Sequence, residues 1–174
     1  MKKSILGSLR FLLLSVIVFG GLYTAAVTGI GQLFFSDQAN GSQVTRNNQV
    51  VGSTLIGQKF KQAQYFSGRS EKVSQLSPVS SEQKNLVDTR TKAELAKNPA
   101  EKNVPNDLVT ASASGVDPNI SLEAAEFQVS RISKERKVSQ QSIRTIIEEN
   151  SQKDWFSDRH YVNVLQLNLA LDKL

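Results

Sequence analysis

The apolar and polar positions divide the chain into two unequal parts. From Phe11 to Phe35, FLLLSVIVFGGLYTAAVTGIGQLFF, 25 residues pass without Asp, Glu, Lys, Arg or His. At the rise of an α-helix they reach roughly 37 Å, enough to cross a hydrocarbon layer of about 30 Å with some tilt. In lipid every backbone N–H and C=O needs an internal partner, so the run predicts a transmembrane helix over 11–35. A cleaved leader has an apolar region of about 7–15 residues before a small-residue site. Here Leu33, Phe34 and Phe35 carry the run past Ala25–Ala26, and a retained anchor is expected.

Beyond the anchor, polar and turn-forming residues fill 36–48, a stalk, and the remainder, 49–174, is expected to be one domain. Gln49-Val50-Val51 can start a short strand. In GSTLIGQKFKQAQYFSGR, residues 52–69, the glycines read as turns and Leu55, Ile56, Phe60, Tyr65 and Phe66 as core. Residues 67–103 are strongly polar, and SEKVSQLSPVSSEQK, 70–84, is loop-like. Ser80 with Gln83 fits a capping box, opening a helix that Asn98-Pro99 stops near Lys97. That helix has a thin apolar stripe and is expected on the surface.

The small-residue segment VPNDLVTASASGVDPNIS, 104–121, suits neither a helix nor a buried strand. Ser121 is a good N-cap, and Leu122, Ala125, Val129 and Ile132 recur at helical spacing, predicting a helix from Ser121 to about Arg136. A second helix starts at Ser139 and buries Ile143, Ile146 and Ile147. The tail VNVLQLNLALDKL supports both a strand alternation and a helical stripe of Val164, Leu167, Leu171 and Leu174. Its Leu, Ala, Gln and Asn content favours a helix. The fold class expected is α/β in the α+β sense: one transmembrane helix, then a helix-rich domain with a small sheet.

Charge changes the picture twice. Lys2, Lys3 and Arg10 precede the apolar run and only Arg46 follows within twenty residues, so the positive-inside bias keeps residues 1–10 in the cytoplasm and places 37–174 outside it. The formal net charge of +5 then falls to +2 for the rest of the chain, without a basic block, and no nucleic-acid partner is expected. Cysteine is absent, which removes disulfides, thiol nucleophiles and thiolate metal sites. Within the membrane helix Gly21, Ala25 and Gly29 repeat every four residues, a small-residue stripe against which a neighbouring helix can approach closely.

Candidate chemistry is sparse. Gly52 and Gly57 have the glycine spacing of a phosphate loop, but Gln58-Lys59 stands where that loop needs Lys then Ser or Thr. A hydrolytic triad would have to join His160, the only histidine, to Ser112 or Ser114 and Asp117, and ASASG lacks the first glycine of the nucleophile elbow. One histidine and no cysteine leave no metal centre to propose. A membrane-anchored, extracytoplasmic ligand-binding or sensor domain stays open as an alternative.

Three blocks in order, GSTLIGQ, VPNDLVTASASGVDPNIS and VNVLQLNLALD, together with the single N-terminal apolar helix, resemble the C subunit of the Kdp potassium-transporting ATPase. Departures from that family's pattern are Ser70-Glu71 after Arg69, the absence of paired glycines over 76–83, and Asn119 where histidine is usual. The resemblance implies a subunit that is itself non-catalytic and sits in the inner membrane. Its partners would be the bilayer, a channel-like potassium-binding subunit and a P-type ATPase subunit, and the whole would take up potassium by hydrolysing ATP. The family is also described as raising the ATPase subunit's affinity for ATP, so ATP enters as a ligand by resemblance alone. The residues expected to dock on partners are Gly21, Ala25 and Gly29 in the membrane; Asp107, Thr110, Ser112, Ser114, Gly115, Asp117 and Pro118 in the small-residue block; Gln58, Tyr65, Phe66 and Arg69; and Asn163 and Asn168, whose amides are expected to bond a partner's backbone.

Overall fold

The computed structural model describes residues 2–70 and 75–174; the part of the polar loop over 71–74 lies outside the described residues. The chain forms two units, 1–43 and 44–174.

The first unit is one unbroken helical rod made of α1 (Lys2–Ser15), a π-helical segment (Val16–Tyr23) and α2 (Thr24–Phe34). Helix therefore begins at Lys2, well before the apolar run, because Lys3 and Arg10 break the apolar pattern without disfavouring helix. The stretch Lys3–Phe34 is the one helix among the described residues long and apolar enough to cross a membrane. Within the π-helical segment the turns are wider, and the hydroxyl of Thr24 donates to the Phe19 carbonyl at 3.0 Å. One further turn, α3 (Ser36–Ala39), follows, where Asn40 exchanges amide hydrogen bonds with Gln32 at 3.2 and 3.3 Å.

The supposed stalk is not all loop. Strand β1 (Gln43–Arg46) pairs with β2 (Gln49–Ser53) in a two-stranded sheet. Asn47 and Asn48 make this possible: both have positive φ, 51° and 61°, the conformation a two-residue hairpin turn requires and one that asparagine tolerates.

The rest of the second unit is helical with a three-stranded antiparallel sheet. Helix α4 (Ser81–Lys97) starts where expected, with Ser80 Oγ accepting from the Gln83 amide, and has no buried residue. A single helical turn, α5 (Asn106–Val109), interrupts the small-residue segment; NDLV was not expected to be helical, but Pro105 precedes it and Leu108 and Val109 give it a buried face. Strand β3 (Asn119–Ser121) leads to α6 (Leu122–Glu126), capped by Ser121 Oγ on the Ala124 amide.

The helix expected to run from Ser121 to Arg136 is broken into α6 and α7 (Val129–Arg136). Gln128 is the reason. Its side-chain Nε2 takes the Ala124 carbonyl at 3.0 Å, the acceptor an α-helical Gln128 amide would use, and that amide turns instead to Ala125 O. Helix α8 (Gln140–Glu149) begins under a Ser139 cap and buries Ile143, Ile146 and Ile147.

Strand β4 (Ser151–Lys153) and β5 (His160–Asn163) complete the sheet, in the order β3-β5-β4. The register sets Ile120 against Val162 and Asn119 against Asn163. The tail is thus strand first, then helix α9 (Val164–Leu171), switching at Asn163, whose Oδ1 caps the Gln166 amide at 3.2 Å. Val164, Leu167 and Leu171 form the expected stripe, but the helix ends at Leu171 and Leu174 is exposed. The core gathers Phe66, Leu108, Ile120 and Phe127 with the apolar faces of α6 to α9. Leu55 and Ile56, expected in it, are 62% and 55% exposed: they lie in the turn after β2, where Ile56 bridges back to Ser53 and both side chains face outward.

Candidate functional site

Two segments far apart in sequence, 57–70 and 107–121, are joined into one surface. The junction is a close backbone approach. Gly57 donates to the Val116 carbonyl at 2.7 Å, and a Cβ at Gly57 would overlap the carbonyl of Asp117, so no other residue fits there without a shift. Arg69 locks the junction from the other side. Its Nη1 donates to Asp117 Oδ2 at 2.9 Å, and its Nη2 to Ala111 O at 3.2 Å and Thr110 Oγ1 at 3.5 Å. A planar guanidinium can hold three acceptors in fixed directions, which a lysine cannot. Ser70 continues the contact as an isolated parallel bridge to Ala111.

The loop itself is wired internally. Ser112 Oγ accepts the Gly115 amide at 2.9 Å and Ser114 Oγ the Val116 amide at 3.2 Å. Gly115 sits at φ 72°, the region glycine enters without strain. Asp117 Oδ1 accepts the Asn119 amide, and the Pro118 carbonyl accepts Val164 N at 2.9 Å, tying the loop to the start of α9. Asp107 receives both the amide and the hydroxyl of Ser121, at 2.7 and 3.3 Å, and so braces the β3–α6 corner.

Gln58, Arg69, Thr110, Gly115, Asp117 and Pro118 are therefore brought to one region. A cleft there, lined by Gln58, Arg69 and Asp117 among others, closes to about 10 Å³, while beside it a cavity of about 370 Å³ is lined by Gln58, Phe60, Arg69, Arg90, Glu94 and Lys97. Arg69 Nε and Glu94 Oε2 are buried with no hydrogen-bond partner among the described residues.

Other candidates are placed differently. Phe66 is fully buried and Asn168 nearly so, and the Asn168 amide is spent within the chain: Oδ1 accepts Phe66 N at 2.8 Å and Nδ2 donates to Phe66 O at 3.0 Å. Asn163 likewise donates to Thr54 O at 2.8 Å, and at 3.4 Å to Asn119 Oδ1. Both amides, expected to bond a partner's backbone, here make their hydrogen bonds within this chain. Tyr65 stacks under Arg136, 5.0 Å from its ring centroid, and its hydroxyl donates to Asp172 at 3.2 Å. In the long apolar helix, a Cβ at Gly21 or Gly29 would meet nothing within 4 Å among the described residues.

The residues of the conceivable triad are not assembled. Ser112 and Ser114 face amides of their own loop, Asp117 pairs with Arg69, and His160 Nδ1 lies 3.5 Å from Ser151 Oγ. Among the described residues no three His, Asp or Glu side chains gather into a group able to hold a metal ion.

Sequence reading missed two centres. Gln128, fully buried, accepts from Ser67 N, Ser67 Oγ and Arg131 Nη2 at 2.8 to 2.9 Å. Its signal was a polar residue at the spacing of the apolar stripe, between Ala125 and Ile132. Arg131 also holds Asn98 Oδ1 and the carbonyls of Ala63 and Tyr65, and burial pulls its pKa below the ordinary arginine value against the opposing charges of Glu94 and Glu135. Asp172, at the end of α9, receives Arg136 at 2.8 Å and Arg46 at 2.5 Å. Burial pushes its carboxyl up, but the hydrogen bonds from Arg136, Arg46 and Tyr65 outweigh it and leave it below the ordinary carboxylate value.

Residues 5–173 match the family model described as K+-transporting ATPase, c chain. The "Potassium-transporting ATPase KdpC subunit" of Herminiimonas arsenicoxydans is 43% identical over 188 aligned positions, covering 99% of both chains. The proteins of the same name from Mycobacterium bovis (strain BCG / Pasteur 1173P2) and Janthinobacterium sp. are 39% and 40% identical, covering 100% and 99% of this chain and 100% of their own.

Proposed function

Since the chain belongs to the family of K+-transporting ATPase c chains, we propose that it is a non-catalytic accessory subunit that assembles with, and stabilises, a potassium-binding channel-like subunit and a P-type ATPase subunit. The observation that carries this reading is the family match over 5–173, which takes in nearly all of the apolar helix and of the second unit.

The physical layout supports it. Lys2, Lys3 and Arg10 hold the N-terminus in the cytoplasm, the Lys3–Phe34 helix crosses the inner membrane once, and the second unit works outside. Gly21, Ala25 and Gly29 offer a lane for a partner helix, which gains packing contacts that lipid does not supply. Outside the membrane, the surface built on Gln58, Arg69, Thr110, Ser114 and Asp117 is a rigid docking face: its geometry is fixed by hydrogen bonds within the chain, so little ordering entropy is lost when a partner binds. An effect on the ATP affinity of the ATPase subunit then has to pass through the partner subunits, because nucleotide is on the other side of the bilayer.

The test is co-purification of the tagged full-length chain from detergent-solubilised membranes, with protease added beforehand to spheroplasts, whose inner membrane is intact. Two larger membrane proteins should accompany the chain, and protease should digest 44–174. Recovery of the chain without companions, or a protected second unit, rejects the reading.

A further inference from the structure

The hairpin β4–β5 carries the protein's only tryptophan at its tip. Trp155 is 94% exposed and Phe156 96%, so two adjacent aromatic rings stand almost wholly in water. Together they present roughly 300–500 Å² of mostly apolar surface, on the scale of an interface centre.

The tip is built, not slack. Asp154 Oδ1 accepts the Phe156 amide at 3.3 Å and Oδ2 accepts the Ser157 hydroxyl at 3.1 Å. The Asp154 amide donates to Arg159 O at 2.9 Å, and Ser157 Oγ accepts the Arg159 amide at 3.2 Å. These bonds hold the backbone on both sides of the rings, so the pair is presented without a loop having to order on binding.

The charges select the occupant. Lys153 pairs with Asp158 at 2.6 Å, and Asp154 and Arg159 complete a set that sums to zero. A segment that enters an anionic headgroup layer gains from clustered Lys and Arg, whereas here a carboxylate flanks the rings on each side. Trp and Arg are the residues over-represented where binding energy concentrates at protein interfaces.

Resting on the accessory-subunit reading, we infer that Trp155 and Phe156 plug an apolar socket on another protein subunit of the pump, with Asp158 and Arg159 meeting that socket's polar rim.

Because the chain has no cysteine, Trp155→Cys places one thiol at the tip. The full-length variant is treated with a polyethylene-glycol maleimide alone in detergent, alone in lipid vesicles, and in the assembled pump. The thiol should be modified readily in the first two states and lose modification in the third. Separately, Trp155→Ser/Phe156→Ser should weaken association by at least about 30-fold, the equivalent of a hot-spot truncation, with the melting temperature of the chain unchanged. Protection already in vesicles would make lipid the occupant and overturn the inference. So would unimpeded modification in the assembled pump, or assembly of the double variant at wild-type strength; in both cases the accessory reading survives. A wild-type chain recovered without companions removes that reading and the socket with it.

Discussion

Asn168 faces Phe66 as a neighbouring β-strand would: its side-chain amide accepts the Phe66 N–H at 2.8 Å and donates to the Phe66 carbonyl at 3.0 Å. One side chain thereby satisfies both backbone groups of a residue that pairs with no strand among the described residues. Asn168→Leu should leave both groups buried and unpaired, at a cost of about 3 kcal/mol. Asn168→Asp should also destabilise, since it keeps the acceptor and loses the donor. Urea unfolding of the full-length chain in detergent reads both, and a midpoint unchanged in Asn168→Leu would refute the pairing.

Asp172 gives the structure an acid-sensitive joint. Its carboxyl lies below the ordinary value in the folded chain, so the stabilisation it supplies is complete above the unfolded value and drains away as pH falls through the folded one. Loss should therefore begin below about pH 4. Asp172→Asn should cost about 1–2 kcal/mol at neutral pH and flatten this part of the acid limb. An acid limb identical in variant and wild type would contradict the assignment.

Gly57 is pressed against the Asp117 carbonyl. Gly57→Ala should cost about 1–3 kcal/mol through overpacking and should lower affinity for the partner subunits if the docking face lies there. Gly29→Ala, in open space, serves as the comparison. Equal melting temperatures for the two variants would count against the close approach.

Gly29→Leu should fill the lane on the membrane helix. The expected outcome is normal membrane insertion with reduced recovery of the proposed partner subunits after solubilisation. If the complex co-purifies unchanged, the small-residue seam is not where the partner helix packs.

How legible these features are in the sequence depends on the range of the interaction. The caps at Ser80, Ser121 and Ser139 act on amides three residues ahead, and each is visible in a short window. The faces of α8 and α9 follow from periodicity. Leu55 and Ile56 were misplaced because an apolar run states a preference for burial but not which side of a turn the core occupies. Gln128 and Ser67 are 61 residues apart and Asn168 and Phe66 are 102 apart, so no local pattern announces either amide clamp. Of the candidate site, Arg69, Thr110 and Asp117 were each singled out, while their union required the fold.

The clamps on the segment around Phe66 set an order of events during synthesis. Phe66 and Tyr65 wait for Asn168 and Asp172, and Arg46 waits for Asp172 across 126 positions. A ribosome that has reached codon 160 is holding a polypeptide whose central segment has Gln128 and Arg131 to bind it but still lacks Asn168 and Asp172. Final locking of the segment around Phe66 is thus deferred until Asn168 and Asp172 have been added. It also means that a premature stop removing only the last ten residues should leave a product for quality-control proteases and not a slightly shorter subunit.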